Sequence, residues 1–305
     1  MIRSCLRYPG GKFKALSQIM PLIPYDIEDW REPFFGGGSV TIGYLQSGRK
    51  RPKRIIVGDL ATEVYVFWSE IQAHTNQVIE EVKNIYYTYN KSYNNESYNE
   101  NDRGLDEQVL NEATELFKFL KTVECENRSK EWRAARLFLI NHISFSAMGD
   151  SGTLSFDQYK EFSMEYCKRI TETSRILDGV EIRHCSYAEI LFDDVKNKDK
   201  TFAFMDPPYY SQEGSKLYGR DGDMHTGFMH EDLAKDCDKI KYKWLMTYDD
   251  CFYIRRLYKN KYIKPFEISY TLAGKTSEDA LAGEELFIAN YELQHEGSFR
   301  DIFKF

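Results

Sequence analysis

An acidic motif about two thirds along the chain has the residue types best suited to chemistry. Asp206, Pro207, Pro208 and Tyr209 directly follow the apolar run 201–205, which is typical of a buried strand. Two consecutive prolines fix the backbone φ angle and lack N–H donors, so carbonyl acceptors remain beside the carboxylate. The sequence therefore predicts an acceptor-rich site at a strand end, although a tight turn with an incidental acid gives the same motif.

An aromatic amine is the group that such a site would activate. The amine carries two N–H donors, and its lone pair is delocalised into the ring. If Asp206 and the Pro207 carbonyl accept both hydrogens, electron density returns to the nitrogen, which can then attack an electrophile. Tyr209 would stack on the planar ring.

A glycine-rich segment is the second candidate site. Glu32 precedes three glycines at positions 36–38, and Asp59 follows the last of them by 21 positions. Glycine lets the backbone approach a bound cofactor closely, and a carboxylate at the end of the next strand can bind ribose hydroxyls. A nicotinamide-type fingerprint would need glycine where Thr41 stands, and the loop alone is also compatible with an ordinary turn.

Two apolar strands that each end in an acid must position these residues. The run 55–59 ends in Asp59, and the run 201–206 repeats that form. Their similarity indicates a parallel α/β sheet with a site at its carboxyl edge. The sequence predicts further strands at 243–247, 263–270 and 285–290 and helices at 231–239 and 251–257.

Long helical periodicities interrupt the strand pattern between Leu60 and about Ser174. They predict helices at 62–82, 106–123, 131–145 and 157–177. We therefore assign 1–60 and 175–305 to a catalytic domain and 61–174 to a helical insertion. Within the insertion, 86–101 is rich in Tyr, Asn and Ser and is predicted to be a surface loop.

Several further segments occur in an order typical of one enzyme family. They are the aromatic-x-G-G-K motif 8–12, the glycine segment 32–39, Cys-Ser-Tyr at 185–187, Thr-Tyr-Asp-Asp at 247–250 and the apolar strand 284–291. Together with the D-P-P-Y motif, the chain resembles the Dam-like adenine methyltransferases, in which the cofactor loop comes first, the target-recognition segment second and D-P-P-Y last.

The resemblance implies an α/β fold, a Rossmann-like S-adenosylmethionine-dependent methyltransferase sheet with a helical target-recognition insertion. It implies site-specific methyl transfer from S-adenosylmethionine to the exocyclic amino nitrogen of a flipped-out adenine in duplex DNA, and it implies no metal. Asp206, Pro207, Pro208 and Tyr209 would hold the adenine. The residues expected around S-adenosylmethionine are Tyr8, Gly10, Gly11, Lys12, Glu32, Phe34, Phe35, Gly36, Gly37, Gly38, Ser39, Asp59, Ser186, Tyr187 and Asp206.

Basic residues in the insertion, which we expect to be the DNA target-recognition domain, are the candidates for contacts to DNA. Arg128, Lys130, Arg133 and Arg136 alternate with apolar residues at the start of a predicted helix, although a solvated helical face gives the same pattern. The basic cluster 49–54 is a second candidate, or a solvated loop. Tyr210 could add to the stacking surface. The segment 214–227, with four glycines, suits a loop closing over DNA or an inert surface loop.

The central region departs from the family. Asn141 and His142 stand where relatives tend to have Asn-Arg. The base-reading residues of relatives are therefore not transferred to this chain.

Composition narrows the function class. The net charge of −7 disfavours a protein that coats nucleic acid through a uniformly basic surface. The six cysteines form no C-x-x-C pair, so neither a zinc knuckle nor a disulfide framework is expected. No apolar run approaches the length of a membrane span, and the first residues lack a signal-peptide pattern, so we expect a cytoplasmic protein.

Two alternatives stay open at this point. One is a catalytically silent DNA-binding protein on the same fold, and the other is an RNA adenine methyltransferase. Related enzymes that methylate amides carry Asn where Asp206 stands, which disfavours an amide substrate. A cognate restriction endonuclease is a candidate partner, while the recognition sequence and the oligomeric state do not follow from the sequence.

Overall fold

A seven-stranded sheet forms the centre of the protein. The computed structural model describes residues 1–8, 10–91, 103–147, 149–210, 227–270 and 281–293. The strands lie in the order β3-β2-β1-β4-β5-β7-β6. They are β1 (Asp29–Glu32), β2 (Arg54–Asp59), β3 (Glu181–His184), β4 (Thr201–Met205), β5 (Lys243–Asp249), β6 (Tyr262–Tyr270) and β7 (Leu281–Ala289).

The strand order reverses beside β1. β1 pairs in parallel with β2 on one side and with β4 on the other, and β3 and β5 extend the parallel pairing outward. β7 is antiparallel to both β5 and β6. This arrangement confirms the predicted Rossmann-like sheet and places a crevice at the carboxyl ends of β1 and β4.

Two of the seven strands carry no apolar run, and neither was predicted from the sequence. β3 lies at an edge of the sheet and has no buried residue. β1 contains Arg31, which is 0% exposed. Its guanidinium pairs with Asp29 over 2.8 Å and donates to the carbonyls of Ile190 and Asp194, also over 2.8 Å. A guanidinium whose donors are hydrogen-bonded can occupy a core position, but a strand that contains one does not show the apolar pattern by which strands are predicted.

The helices largely follow the predicted positions, with two interruptions. The predicted helix 62–82 is two helices that meet at His74, and the predicted helix 157–177 is also divided. The helices are α1 (Leu16–Ile19), α2 (Ser39–Leu45), α3 (Thr62–Ala73), α4 (Thr75–Tyr89), α5 (Arg103–Thr122), α6 (Lys130–Ile143), α7 (Phe156–Glu161), α8 (Glu165–Ile176), α9 (Tyr187–Leu191), α10 (His230–Lys239) and α11 (Phe252–Leu257).

The surface loop expected at 86–101 is only partly within the described residues. Tyr86 belongs to α4 and is 4% exposed, so the prediction is wrong at this end of the segment. The ring of Tyr86 packs against Phe162, with centroids 5.0 Å apart. Residues 92–101 lie outside the described part of the chain, as does 214–226 of the other expected loop.

Each face of the sheet contributes to its own hydrophobic cluster. One cluster joins Trp30 and Phe202 to Phe138 of α6. The other contains Met205, Trp244 and the residues of α10 and α11. The helices of the insertion therefore share a core with one face of the sheet, and α3 packs on both β2 and α6. None of the helices within the described ranges is long and apolar enough to cross a membrane.

Candidate functional site

Three acids lie where the strand order reverses. Glu32 ends β1, Asp59 ends β2 and Asp206 directly follows β4. Parallel strands bring these carboxyl ends to one edge, and in open α/β sheets this crevice is the usual ligand site. The sequence prediction that Asp59 and Asp206 lie at one edge of a parallel sheet is confirmed, and β1 adds Glu32, which was not predicted there.

A lysine from the N-terminal motif holds the carboxylate of Asp206. Lys12 Nζ lies 3.0 Å from Asp206 Oδ1, and Thr247 Oγ1 donates to the same oxygen over 2.6 Å. Lys12 also donates to the Gly10 carbonyl over 2.8 Å. The side chain of Lys12 is 3% exposed and that of Asp206 is 23% exposed. The Lys12 and Thr247 contacts both go to Oδ1, and Oδ2 is the second acceptor of this carboxylate.

Tyr209 is fixed at its hydroxyl and on its ring. The hydroxyl donates to Glu285 Oε2 over 2.6 Å. The ring centroid lies 4.8 Å from Lys12 Nζ and 5.8 Å from the stacked ring of Tyr248. Lys12, which we expected beside the cofactor, thus contacts two residues of the D-P-P-Y motif.

The following tyrosine extends an aromatic surface beside Tyr209. The Tyr210 N–H donates to Asp249 Oδ1 over 3.0 Å, which ties the end of the D-P-P-Y segment to β5. The Tyr210 ring stacks on Tyr253 with centroids 4.4 Å apart.

Tyr8 fills the space beside the glycine loop. A Cβ at Gly37 would lie 2.6 Å from Tyr8 Cβ, and one at Gly36 would lie 3.1 Å from the Tyr8 ring. Gly36 and Gly38 have φ angles of 45° and 67°, in the left-handed region that favours glycine. Packing of Tyr8 and the turn geometry therefore require these glycines, and the close approach of their backbone to a cofactor stays a prediction.

The glycine loop is also tied to the neighbouring strand and helix. Its Gly36 N–H donates to Asp59 Oδ2 over 2.8 Å, and the Ala61 N–H donates to Asp59 Oδ1 over 2.9 Å. The Gly36 carbonyl accepts from Trp68 over 2.8 Å. Burial raises the pKa of Asp59. Its oxygens keep further acceptor capacity for hydroxyl groups.

Glu32 lies beneath this loop. Its Oε2 accepts from the Thr41 N–H over 3.0 Å and from the Thr41 hydroxyl, which also accepts from Trp30 over 2.7 Å. Burial, with the nearby charge of Asp206, raises the pKa of Glu32 to about 8. Glu32 thus satisfies the first turn of α2, which begins at Ser39.

Three aromatic rings form a wall at the same edge. Phe34 stacks on Tyr187 with centroids 5.6 Å apart, and Phe228 contacts both rings at 5.8 and 6.1 Å. The Tyr187 hydroxyl donates to Asp236 over 3.0 Å. Phe35, expected at the same site, is instead 3% exposed and packs on Trp68.

A capping box sets the start of the helix that carries Tyr187. Ser186 and Glu189 form it, and the Ser186 N–H donates to Glu189 over 2.8 Å. The polar groups of Ser186 therefore have a structural use in α9.

The N-terminal motif is anchored to the insertion. Asn141 Oδ1 accepts from the Arg7 N–H over 3.0 Å, and Asn141 Nδ2 donates to the Arg7 carbonyl over 2.6 Å. The motif then turns at Gly10, whose φ is 72°, and the Gly11 N–H donates to the Tyr8 carbonyl over 2.9 Å. Asn141 therefore helps to place Lys12 in the pocket.

Comparison with known proteins assigns the chain to a family. Residues 8–272 match the family described as D12 class N6 adenine-specific DNA methyltransferase. The chain belongs to that family. The matched range includes Lys12, Asp59, Asp206 and Tyr209.

Three curated relatives of this D12-class chain show different extents of similarity. The chain is 26% identical over 230 residues to Modification methylase StsI of Streptococcus sanguinis, which covers 72% of this chain but only 31% of that protein. It is 23% identical over 223 residues to Type II methyltransferase M.MjaIII of Methanocaldococcus jannaschii, which covers 68% of this chain and 69% of that protein. It is 22% identical over 305 residues to Type II methyltransferase M1.LlaDCHI of Lactococcus lactis subsp. cremoris, which covers 95% of this chain and 96% of that protein.

Two of the basic residues predicted to contact DNA are committed to ion pairs in this methyltransferase. Arg136 is 1% exposed, pairs with Asp150 and donates to the Leu120 carbonyl over 2.6 Å. The predicted DNA contact of Arg136 is therefore wrong, because a buried guanidinium cannot reach a phosphate. Arg133 is half-buried and pairs with Glu63.

Arg128 and Lys130, also predicted to contact DNA, are exposed at the start of α6. The Arg128 guanidinium lies 5.0 Å from the Trp132 ring. Ser129 caps this helix by accepting from the Trp132 N–H over 3.1 Å. These two cations remain the DNA-contact candidates of the insertion.

The basic cluster 49–54 lies at the other end of β2 from the site. Arg54 begins β2, whereas Asp59 ends it. Arg49 donates to the Met20 and Ile23 carbonyls over 2.8 Å each, and Arg54 pairs with Asp193 over 3.1 Å. The cluster therefore supports local structure and does not line the crevice.

His142, at the position that departs from the family, is buried. Its Nδ1 lies 2.9 Å from the Phe138 carbonyl, and burial lowers its pKa to about 3. His142 is thus a neutral core residue that cannot read a base.

No individual role for Thr247, Glu285 or Phe228 was predicted from the sequence. The segments with Thr247 and Glu285 were matched to family strands, but nothing in the spacing shows that either side chain reaches the D-P-P-Y motif.

One group of potential metal ligands occurs in the described residues, formed by Glu70, His74 and Glu131, whose ligand atoms lie within 4.8 Å of one another. His74 Nδ1 lies 2.6 Å from Glu70 Oε2, so an ion pair at the α3–α4 junction accounts for this group.

Proposed function

We propose that this chain transfers a methyl group from S-adenosylmethionine to the exocyclic amino nitrogen of an adenine flipped out of duplex DNA. The observation that carries the proposal is the geometry of Asp206. Its Oδ1 is held by Lys12 and Thr247, while Oδ2 and the following proline carbonyl are acceptors at the carboxyl edge of the sheet.

The residues at this edge fit the proposed cofactor. Asp59 offers carboxylate oxygens to ribose hydroxyls beside the glycine loop. The faces of Phe34 and Tyr187 offer a stacking surface for an adenine ring. When bound, S-adenosylmethionine supplies an electrophilic methyl group on its sulfonium centre.

The chain's own groups would orient the nucleophile. Asp206 Oδ2 and the Pro207 carbonyl accept the two amine hydrogens, which returns electron density to the nitrogen. Tyr209 stacks on the base, and Lys12 keeps the Asp206 carboxylate in place. Direct displacement needs no enzyme nucleophile, so positioning and electrostatics account for catalysis. Each of the cysteines is accordingly left without a role.

Access to the amine requires base flipping. Extrusion of the nucleotide costs about a few kcal/mol, which stacking and hydrogen bonds in the pocket offset. Tyr209 and Tyr210, with the adjoining ring of Tyr253, provide the aromatic surface. Arg128 and Lys130 would contact phosphates. The Type II names of two relatives support a restriction-modification role with a partner endonuclease.

The test is methyl transfer to nucleic acids of defined type. The purified chain is incubated with labelled S-adenosylmethionine and either unmethylated genomic DNA or RNA, followed by nucleoside analysis and sequencing. We expect N6-methyladenine in DNA within one sequence context. Methylation of RNA alone, or bound cofactor without transfer to either substrate, contradicts the proposal.

A further inference from the structure

A buried acid on β7 contacts two residues of the catalytic pocket. The Glu285 side chain is 3% exposed, its Oε2 accepts from the Tyr209 hydroxyl over 2.6 Å, and the same oxygen lies 3.8 Å from Lys12 Nζ. β7 pairs with β5, where Glu285 is opposite Asp249. The acid therefore enters the pocket from a strand that follows the D-P-P-Y motif by more than 70 positions.

The sheet alone does not account for an acid at this position. The next residues of β7, from Leu286 to Ala289, are apolar and no more than 2% exposed. An apolar residue at 285 would continue this pattern, whereas a buried carboxylate carries a desolvation penalty unless it is paired. Glu285 is paired, and both described partners belong to the pocket.

One oxygen of Glu285 restrains both parts of the amine site. The backbone of Tyr209 follows two prolines, so a bond at the far end of its side chain sets the ring orientation. The same oxygen attracts the Lys12 ammonium, which in turn lies 3.0 Å from Asp206 Oδ1. A change at Glu285 would therefore disturb the stacking ring and the amine acceptor together.

We infer that Glu285 is a positioning residue for methyl transfer. It orients the Tyr209 ring directly and the Asp206 carboxylate through Lys12, without contacting the substrate. This role rests on the proposed function, because it concerns the same pocket.

Four variants separate the two contacts of Glu285. Glu285→Leu removes both and continues the apolar pattern of β7, while Glu285→Gln keeps an acceptor for the Tyr209 hydroxyl but removes the charge. Tyr209→Phe removes only the hydroxyl. Glu284→Leu is the matched control, because Glu284 is the exposed neighbour on the same strand.

The readouts are kcat for DNA methylation and the Kd for S-adenosylmethionine. We expect kcat to fall at least about tenfold in Glu285→Leu and by a smaller factor in Glu285→Gln, with the Kd within about threefold of wild type. Adding Tyr209→Phe to Glu285→Leu should lower kcat little further, because the hydroxyl has already lost its acceptor. The control should stay within about twofold of wild type.

Several outcomes overturn the inference. A folded Glu285→Leu protein with a wild-type kcat does so, as does a loss of cofactor binding that parallels the loss of kcat, since that indicates a structural role alone. If Glu285→Leu does not fold, wild-type rates in both Glu285→Gln and Tyr209→Phe refute it. A wild-type protein that binds the cofactor but methylates no DNA refutes the proposed function instead.

Discussion

Replacing Lys12 with Met should destabilise the protein by leaving two carboxylates without their cation. Lys12 Nζ lies 3.0 Å from Asp206 and 3.8 Å from Glu285. At an effective dielectric constant of about 20, these attractions amount to roughly 5.5 and 4.4 kcal/mol, much of which desolvation offsets. Removal of one partner from a buried pair costs about 3–5 kcal/mol. Since Asp206 is 23% exposed, we take the lower end, about 3 kcal/mol.

Thermal unfolding followed by circular dichroism measures this loss. About 3 kcal/mol corresponds to a Tm lower by roughly 5 °C in a chain of this length. Lys50→Met is the control, because Lys50 is exposed in the loop before β2, and its Tm should stay within about 1 °C of wild type. Adding Glu285→Gln to Lys12→Met should raise the Tm again, since the charge of one carboxylate that has lost its lysine partner is removed. A wild-type Tm for Lys12→Met, or no recovery in the double variant, would refute the reasoning.

Three further predictions concern the loop, the insertion and the glycines. Glu32 has a pKa of about 8 in the folded protein against an ordinary 4.5, so the folded state holds a proton that the unfolded state releases. As the pH rises from about 4.5 to about 8, the unfolding free energy of wild type should fall relative to that of Glu32→Gln by roughly 1.4 kcal/mol per pH unit, and above that range the difference should level off. Denaturant titrations at several pH values measure this difference. Arg128→Ala with Lys130→Ala should make the dependence of log K for DNA on log salt shallower by roughly 0.9 per lost phosphate contact, and an unchanged slope would exclude both residues from the interface. Gly37→Ala places a Cβ 2.6 Å from Tyr8 Cβ, so it should lower the unfolding free energy by about 1–3 kcal/mol. It should also weaken S-adenosylmethionine binding at least about tenfold, as measured by calorimetry. A wild-type affinity would show that Tyr8 does not contribute to cofactor binding.

The sequence predicted the parts of the fold that obey simple periodicity. Five strands and most helices were predicted because their apolar residues face a core. The strand that ends in Asp59 and the strand before Asp206 are among these five. β1 was missed because buried Arg31 is neutralised by Asp29 and main-chain carbonyls, a solution that only the tertiary structure reveals.

The sequence indicated which residues meet at the candidate site but not how they contact one another. The two apolar strands placed Asp59 and Asp206 at one edge of a parallel sheet, and the family resemblance added Lys12. Spacing could not show that Lys12 pairs with Asp206, that Glu285 accepts from Tyr209, or that Arg136 is buried against Asp150. Each of these contacts joins residues on different elements, and their pairing depends on how those elements pack.

Methyl transfer by Asp206→Ala, compared with wild type and Asp206→Asn, tests the central claim most directly. Because the carboxylate would orient the target amine, we expect Asp206→Ala to lower kcat for DNA adenine methylation by at least about a hundredfold. The fold should persist, as should most of the affinity for S-adenosylmethionine. Near-normal turnover by a folded Asp206→Ala protein would contradict the account.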